Sequence, residues 1–152
     1  MKKFEFTGET KTISLFFRTA TLHRIRAVAE FGLVKVGDLG GWIEKEENLS
    51  HDGKAWVWGN AEVCGDAEVF SASHVLVIGA IGSRDDFTTF FRDKDNEITV
   101  KCGCFLGKID KFLEKVTQTH GDSKYALVYR AAVEVARLQI DLSGEAPKDA
   151  DE

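Results

Sequence analysis

Proline is almost missing from this 152-residue chain; the single one, Pro147, lies in the tail. Positive charge is also short. Twenty Lys and Arg stand against 25 Asp and Glu, a formal net charge of -5. That excludes a global basic field for a nucleic-acid polymer or an anionic membrane. No apolar run approaches the roughly 18 residues of a membrane span. The opening Lys2–Gly8 lacks the apolar stretch of a signal peptide. Cysteine is scarce, and its odd count of three does not suggest a disulfide framework. These absences predict a soluble cytoplasmic protein with reduced thiols. No P-loop, Rossmann glycine pattern, Gly-x-Ser-x-Gly elbow or His-Glu-x-x-His motif occurs.

What is present is enough apolar material for one compact domain: 43% hydrophobic residues, with 11 Phe and 3 Trp. An aliphatic residue recurs every sixth position, at Val57, Val63, Val69, Val75 and Ile81. Four residues after each of the first four stands a small one: Ala61, Ala67, Ser73, Gly79. A six-residue period predicts a β-helix, with the branched residue pointing inward and the small one at the corner. The array supplies only about one and a half coils, fewer than repeat units need to stand alone. Flanking elements or another subunit must complete it. Trp56 and Trp58 alternate with Val57 and so are expected to point outward. They are covered either by the N-terminal strands or by a subunit interface, where Trp is enriched.

Before the array, Phe4–Phe6, a turn at Thr7-Gly8-Glu9 and Thr12–Thr19 read as a hairpin, and Leu22–Val28 as a further strand. After it, Phe87–Arg92, a turn at Asp93–Asn96 and Glu97–Phe105 read as another hairpin. Ile109, Phe112, Leu113 and Val116 fall at helical spacing, ending near His120-Gly121. Asp122 or Ser123 can cap a second helix running to about Ile140, with a buried stripe of Tyr125, Val128, Tyr129, Ala132, Val135, Ala136 and Gln139 or Ile140. The predicted fold is α+β: an N-terminal β region with a short β-helix, then a β-hairpin and a C-terminal helical hairpin. The expected organisation is residues 1–81, a cap module 82–142, and a disordered tail 143–152.

The stretch from Leu22–Val28 through Val34–Glu44 to Asn48–Ala61, with its Gly59-Asn60-Ala61 unit, resembles the N-terminal part of bacterial and phage hexapeptide-repeat proteins. These are often labelled transferases or polymer-forming proteins. The likeness covers roughly residues 12–80. It implies a left-handed β-helix and, in the enzymes of that family, a histidine base at a cleft between subunits. His51 and His74 are the histidines in or beside the array. The C-terminal half, from Gly82-Ser83-Arg84 through Gly103-Cys104-Phe105 to Thr119–Asp122, looks like a module of small phage proteins.

The chemistry-bearing residues concentrate in that half. Ser83 and Arg84 follow the last inward aliphatic, where a Gly-Ser turn offers backbone N–H groups and Arg84 a fork for phosphate. Thr88 and Thr89 add hydroxyls on the next strand, and Arg92 ends it. His120 and Lys124 flank the start of the second helix, whose dipole favours an anion. Nearby Asp85, Asp86, Asp93 and Asp95 are the competing partners for these arginines. Cys102 and Cys104, expected to share one face of a strand, read as small core residues rather than metal ligands.

The resulting reading is a non-enzymatic, homo-oligomeric, phage-type binding protein that holds a small phosphorylated ligand or nucleotide. A sponge or anti-defence role in the host cytoplasm is implied by the resemblance alone. Two alternatives stand beside it: an acyltransferase-like enzyme with His74 or His51 as base, and a protein-interaction inhibitor of a host enzyme acting through the Trp face, with a host defence protein as a candidate partner. No cofactor, metal, membrane or nucleic-acid polymer is implied.

Overall fold

The computed structural model describes residues 2–143. The expected tail therefore lies, apart from Ser143, outside the described residues. A long hairpin opens the chain, β1 (Phe4–Ser14) against β2 (Thr19–Ala27). No turn forms at Gly8; the register slips between Phe6 and Thr10 and the strand runs on. β3 (Leu39–Ile43) pairs antiparallel with β2, and the short β4 (Glu62–Val63) pairs parallel with β3. A second sheet holds β5 (Val75–Ile81), β6 (Asp86–Arg92), β7 (Ile98–Cys102) and β8 (Phe105–Lys108), antiparallel and in chain order. Helices α1 (Ile109–His120) and α2 (Lys124–Gln139) complete the fold.

The expected β-helix does not form. The chain makes two four-stranded sheets, antiparallel at every interface but β3–β4. Val57, Val63 and Val69 are fully buried, so the inward half of the hexapeptide reading holds locally. From Val75 the chain leaves that pattern. Val75 pairs with Phe91 and Ile78 with Thr88, which turns the last two hexapeptides into a strand of the second sheet. The physical reason is length. One and a half coils expose both ends of their stack, whereas β6 offers β5 a full antiparallel ladder.

Strand alternation then builds two cores around the second sheet. Phe91, Val75 and Val77 face the first core with Val57, Val63, Val69, Ile25 and Ile43. Phe90, Val100, Leu76 and Ile78 face the helices. Adjacent phenylalanines thus serve opposite layers. A partly buried ion cluster ties the sheets together: the Glu62 carboxylate receives Lys101 Nζ at 2.6 Å and Lys11 Nζ at 2.5 Å. Burial raises the Glu62 carboxyl, but the two ammonium groups outweigh it and hold the carboxyl below its ordinary value. Asn48 does the same for the loops, accepting from Lys45 N–H and donating to the Gly65 and Ala67 carbonyls.

The helical hairpin falls where the spacing predicts, with Ser123 at the N-cap of α2. Its buried stripe is rotated. Ala126 and Val133 are buried, while Tyr125 and Val135 are exposed. Apolar residues surround α2 on most sides, so spacing alone does not choose the inward face. Among the described residues, no helix is long and apolar enough to cross a membrane.

Candidate functional site

Five chain segments meet at one end of the second sheet. The β5–β6 turn brings Ser83, Arg84 and, at its end, Asp86. The two-residue β7–β8 loop brings Gly103 and Cys104, with Cys102 at its root. Helix α1 turns Phe112, Lys115, Val116 and Thr119 toward them, positions i, i+3, i+4 and i+7 on one face. Tyr129 of α2, His120 and Phe16 from the β1–β2 connection complete a cleft of about 180 Å³.

Two glycines set its shape. Gly82 has φ +81°, and a side chain there would place Cβ 1.8 Å from the Tyr129 hydroxyl. The absent Cβ lets that hydroxyl reach the turn. Gly103, at φ +58°, occupies the first position of the β7–β8 loop, where an L side chain is strained. Its missing side chain leaves Arg84 Nη1 3.6 Å from the Cβ position. Phe16 is anchored by its own backbone, its N–H donating to the Cys104 carbonyl at 3.0 Å. Lys115 Nζ lies 4.9 Å from the Phe16 ring centroid. His120 stacks on Tyr129 with ring centroids 5.7 Å apart. Burial first, then Cys102 beside it, pushes the Tyr129 phenol up to about 12. It is therefore a neutral hydrogen-bond donor at physiological pH.

An arginine without a carboxylate partner sets this cleft apart among the described residues. Arg18, Arg24, Arg26, Arg92, Arg130 and Arg137 each pair with a carboxylate. Arg84 is the one arginine that forms no ion pair among the described residues, despite Asp85 and Asp86 next to it in sequence. Lys115 and His120 likewise have no carboxylate partner there. Three cationic or protonatable groups thus line a cleft that holds one acid, Asp86, whose Oδ1 accepts from the Phe87 N–H.

Of the residues expected from sequence, Ser83, Arg84 and His120 come together here. Thr88 and Thr89 are buried; Thr88 donates to Cys102 Sγ at 3.5 Å and Thr89 Oγ1 accepts from the Glu62 N–H at 3.0 Å. Arg92 lies elsewhere, bonded to Asn96 and to the Glu68 carbonyl, its guanidinium over Phe70. Lys124 begins α2 and does not line the cleft. Cys102 and Cys104 do not share a strand face, because the strand ends at Cys102; both open onto the cleft. His74 is buried, with Nδ1 accepting from the Phe70 N–H. His51 stacks on Phe4, its Nδ1 accepts from the Lys3 N–H and its Nε2 lies 3.2 Å from Glu46. Trp56 is 2% exposed, packed edge-on against Phe31, whereas Trp58 is 53% exposed.

Sequence reading missed Lys115, Phe16, Tyr129 and Asp86 as site residues. The i, i+3, i+4, i+7 row Phe112-Lys115-Val116-Thr119 was the available signal for Lys115. Nothing local announces Phe16, which arrives from the other sheet.

Asp93, Asp95 and Glu97 bring carboxylate oxygens within 4.8 Å of one another. Lys108 Nζ already sits among them, at 2.7, 2.9 and 3.0 Å. The cluster's cation is thus a residue of the chain itself. No family model matches this chain, and no curated protein matches it.

Proposed function

We propose that this chain is a binding protein for a small phosphorylated ligand, held in the cleft between the β5–β6 turn, the β7–β8 loop and α1. One observation carries the reading: Arg84, alone among the arginines of the described residues, has no carboxylate partner, and it faces a cleft shared with Lys115 and His120. An unpaired guanidinium beside a concave surface suits a planar or tetrahedral oxyanion. Phe16, Phe105, Phe112 and Tyr129 supply apolar and aromatic walls for a ring attached to that anion. Ligand cavities for drug-sized molecules run to about 300–1,000 Å³. This one is smaller, so it encloses a phosphoryl group and one ring of a nucleotide, the remainder projecting outward. A homo-oligomer belongs to the same proposal, supported by exposed Trp58 and by the outward Leu127, Val135 and Leu138 of α2. Sequestering a nucleotide signal, the role implied by the phage resemblance, would need nothing from the cleft beyond binding.

The test is thermal. A ligand at about 100 times its Kd adds about 2.7 kcal/mol to the native state. For a chain of this size that is a rise of several degrees, at about 2–4 °C per kcal/mol. Inorganic phosphate, sugar phosphates, mononucleotides and cyclic dinucleotides form the panel. The expected result is a shift with at least one mononucleotide that disappears in Arg84→Ala. A flat panel, or a shift that Arg84→Ala leaves intact, overturns the reading.

A further inference from the structure

The same cleft holds two sulfurs. Cys102 and Cys104 flank Gly103 at the β7–β8 loop, both partly exposed and both lining the cavity. Cys102 Sγ is oriented by Thr88, whose Oγ1 donates to it at 3.5 Å, and it shares the cleft with the Tyr129 phenol. Arg84 lies over the loop between the two thiols. The third cysteine offers a contrast within the same molecule. Cys64 is fully buried, and burial pushes its thiol up to about 12.

We infer that the cleft is an anion-selective site of thiol–disulfide exchange, with Cys102 as the attacking sulfur and a negatively charged low-molecular-weight disulfide as its substrate. This rests on the reading that the cleft attracts anions. The step is an exchange without net oxidation. The Cys102 sulfur, after losing its proton, attacks one sulfur of the disulfide. The disulfide's S–S bond breaks and a mixed disulfide forms on Cys102. The other half leaves as a thiolate and takes up a proton from solvent. One thiol and one disulfide give one thiol and one disulfide. Arg84, Lys115 and His120 act on this step twice. They concentrate the anionic disulfide at the mouth of the cleft, and they stabilise the negative charge that develops on the leaving sulfur. The Thr88 hydroxyl holds Cys102 where it lines the cleft.

The experiment treats the full chain with three disulfides of different charge: oxidised glutathione (anionic), 2-hydroxyethyl disulfide (neutral) and cystamine (cationic). Rates and adduct positions are read by mass spectrometry of the intact chain and its peptides. Oxidised glutathione is expected to modify Cys102 about tenfold faster than the neutral probe, with cystamine slowest and Cys64 untouched. Added salt shrinks that preference. Arg84→Ala slows both the anionic and the neutral reaction, the anionic one more, so that the two rates draw together. Cys102→Ser, a small change, abolishes the adduct while the chain's melting curve confirms the fold. Equal rates for all three probes, or an adduct on Cys104 alone, overturn the inference. So does an inert Cys102; if inorganic phosphate still raises the melting temperature through Arg84 in that case, the exchange chemistry fails while the anion cleft stands.

Discussion

Lys108→Met strips the ammonium from three carboxylates at once. Asp93 is 1% exposed, and its Oδ2 accepts from Lys108 at 2.7 Å and from Thr99 at 2.6 Å. Its Oδ1 accepts from the N–H groups of Asp95 and Glu97, at 2.9 and 3.1 Å. A charge-assisted hydrogen bond contributes about 1.5–3 kcal/mol. Stranding a buried ion outright costs about 3–5 kcal/mol. The variant falls short of that limit, because Asp93 keeps three donors and the Lys108 side chain is 41% exposed, where water screens the charge. The expected loss is therefore about 2 kcal/mol at pH 7, or about 4–8 °C in Tm. The pH dependence follows from the same contacts. Burial raises the Asp93 carboxyl, but Lys108, Thr99 and the two backbone donors outweigh it and hold it below its ordinary value. A carboxyl depressed in the folded state stabilises fully above its unfolded pKa of about 3.9. That stabilisation fades as pH falls through the folded value. Urea unfolding from pH 7 downward should therefore show the gap between the native chain and Lys108→Met narrowing in acid. A gap under about 0.5 kcal/mol at pH 7, or one that stays constant as the carboxylates protonate, would refute the reasoning.

Gly82→Ala drives Cβ into the Tyr129 hydroxyl, 1.8 Å away, at a backbone φ of +81° that side chains rarely adopt. It should cost about 1–3 kcal/mol in urea unfolding and weaken ligand binding as well; a neutral effect on both would mean that the turn does not shape the cleft. Asn48→Ala removes one buried and two partly buried hydrogen bonds and leaves the Gly65 and Ala67 carbonyls without their side-chain donor. The expected loss is about 2–3 kcal/mol, read from the shift in the urea midpoint, with ligand binding unchanged because Asn48 is remote from the cleft.

The helices and the β6–β7 hairpin were legible because their signals are local, although the expected return strand Glu97–Phe105 ends at Cys102 and turns at Gly103-Cys104 into β8. Ile109, Phe112 and Val116 repeat at helical spacing, and Gly121 marks the stop. The hexapeptide array was misread for the opposite reason. Six is also an even spacing along a strand, so Val75 and Ile81 fit either pattern in sequence, although an irregularity between Ile78 and Ile81 turns Ile81 to the helix-side core. What decided between them was the partner: β6, some ten residues further on, offered Val75 a ladder that a truncated coil could not. At the site, Ser83, Arg84 and His120 were found because a turn and a helix end announce themselves in sequence. Thr88, Thr89 and Arg92 went astray because strand direction and pairing consumed their polar groups, on Cys102, on the Glu62 N–H and on Asn96 and Glu68. Phe16 was illegible: only tertiary packing brings the β1–β2 connection over the β7–β8 loop.

If Arg84 is left without a carboxylate in order to take an anion, an added anion must perturb it before any other arginine. The most direct measurement follows the arginine Nε–Hε resonances of the full chain by NMR during titration with inorganic phosphate and then a mononucleotide. The account predicts that the Arg84 resonance, assigned by its loss in Arg84→Ala, moves saturably while those of Arg18, Arg26 and Arg92 stay in place. An unmoved Arg84, or shifts spread equally over all the arginines, would contradict it.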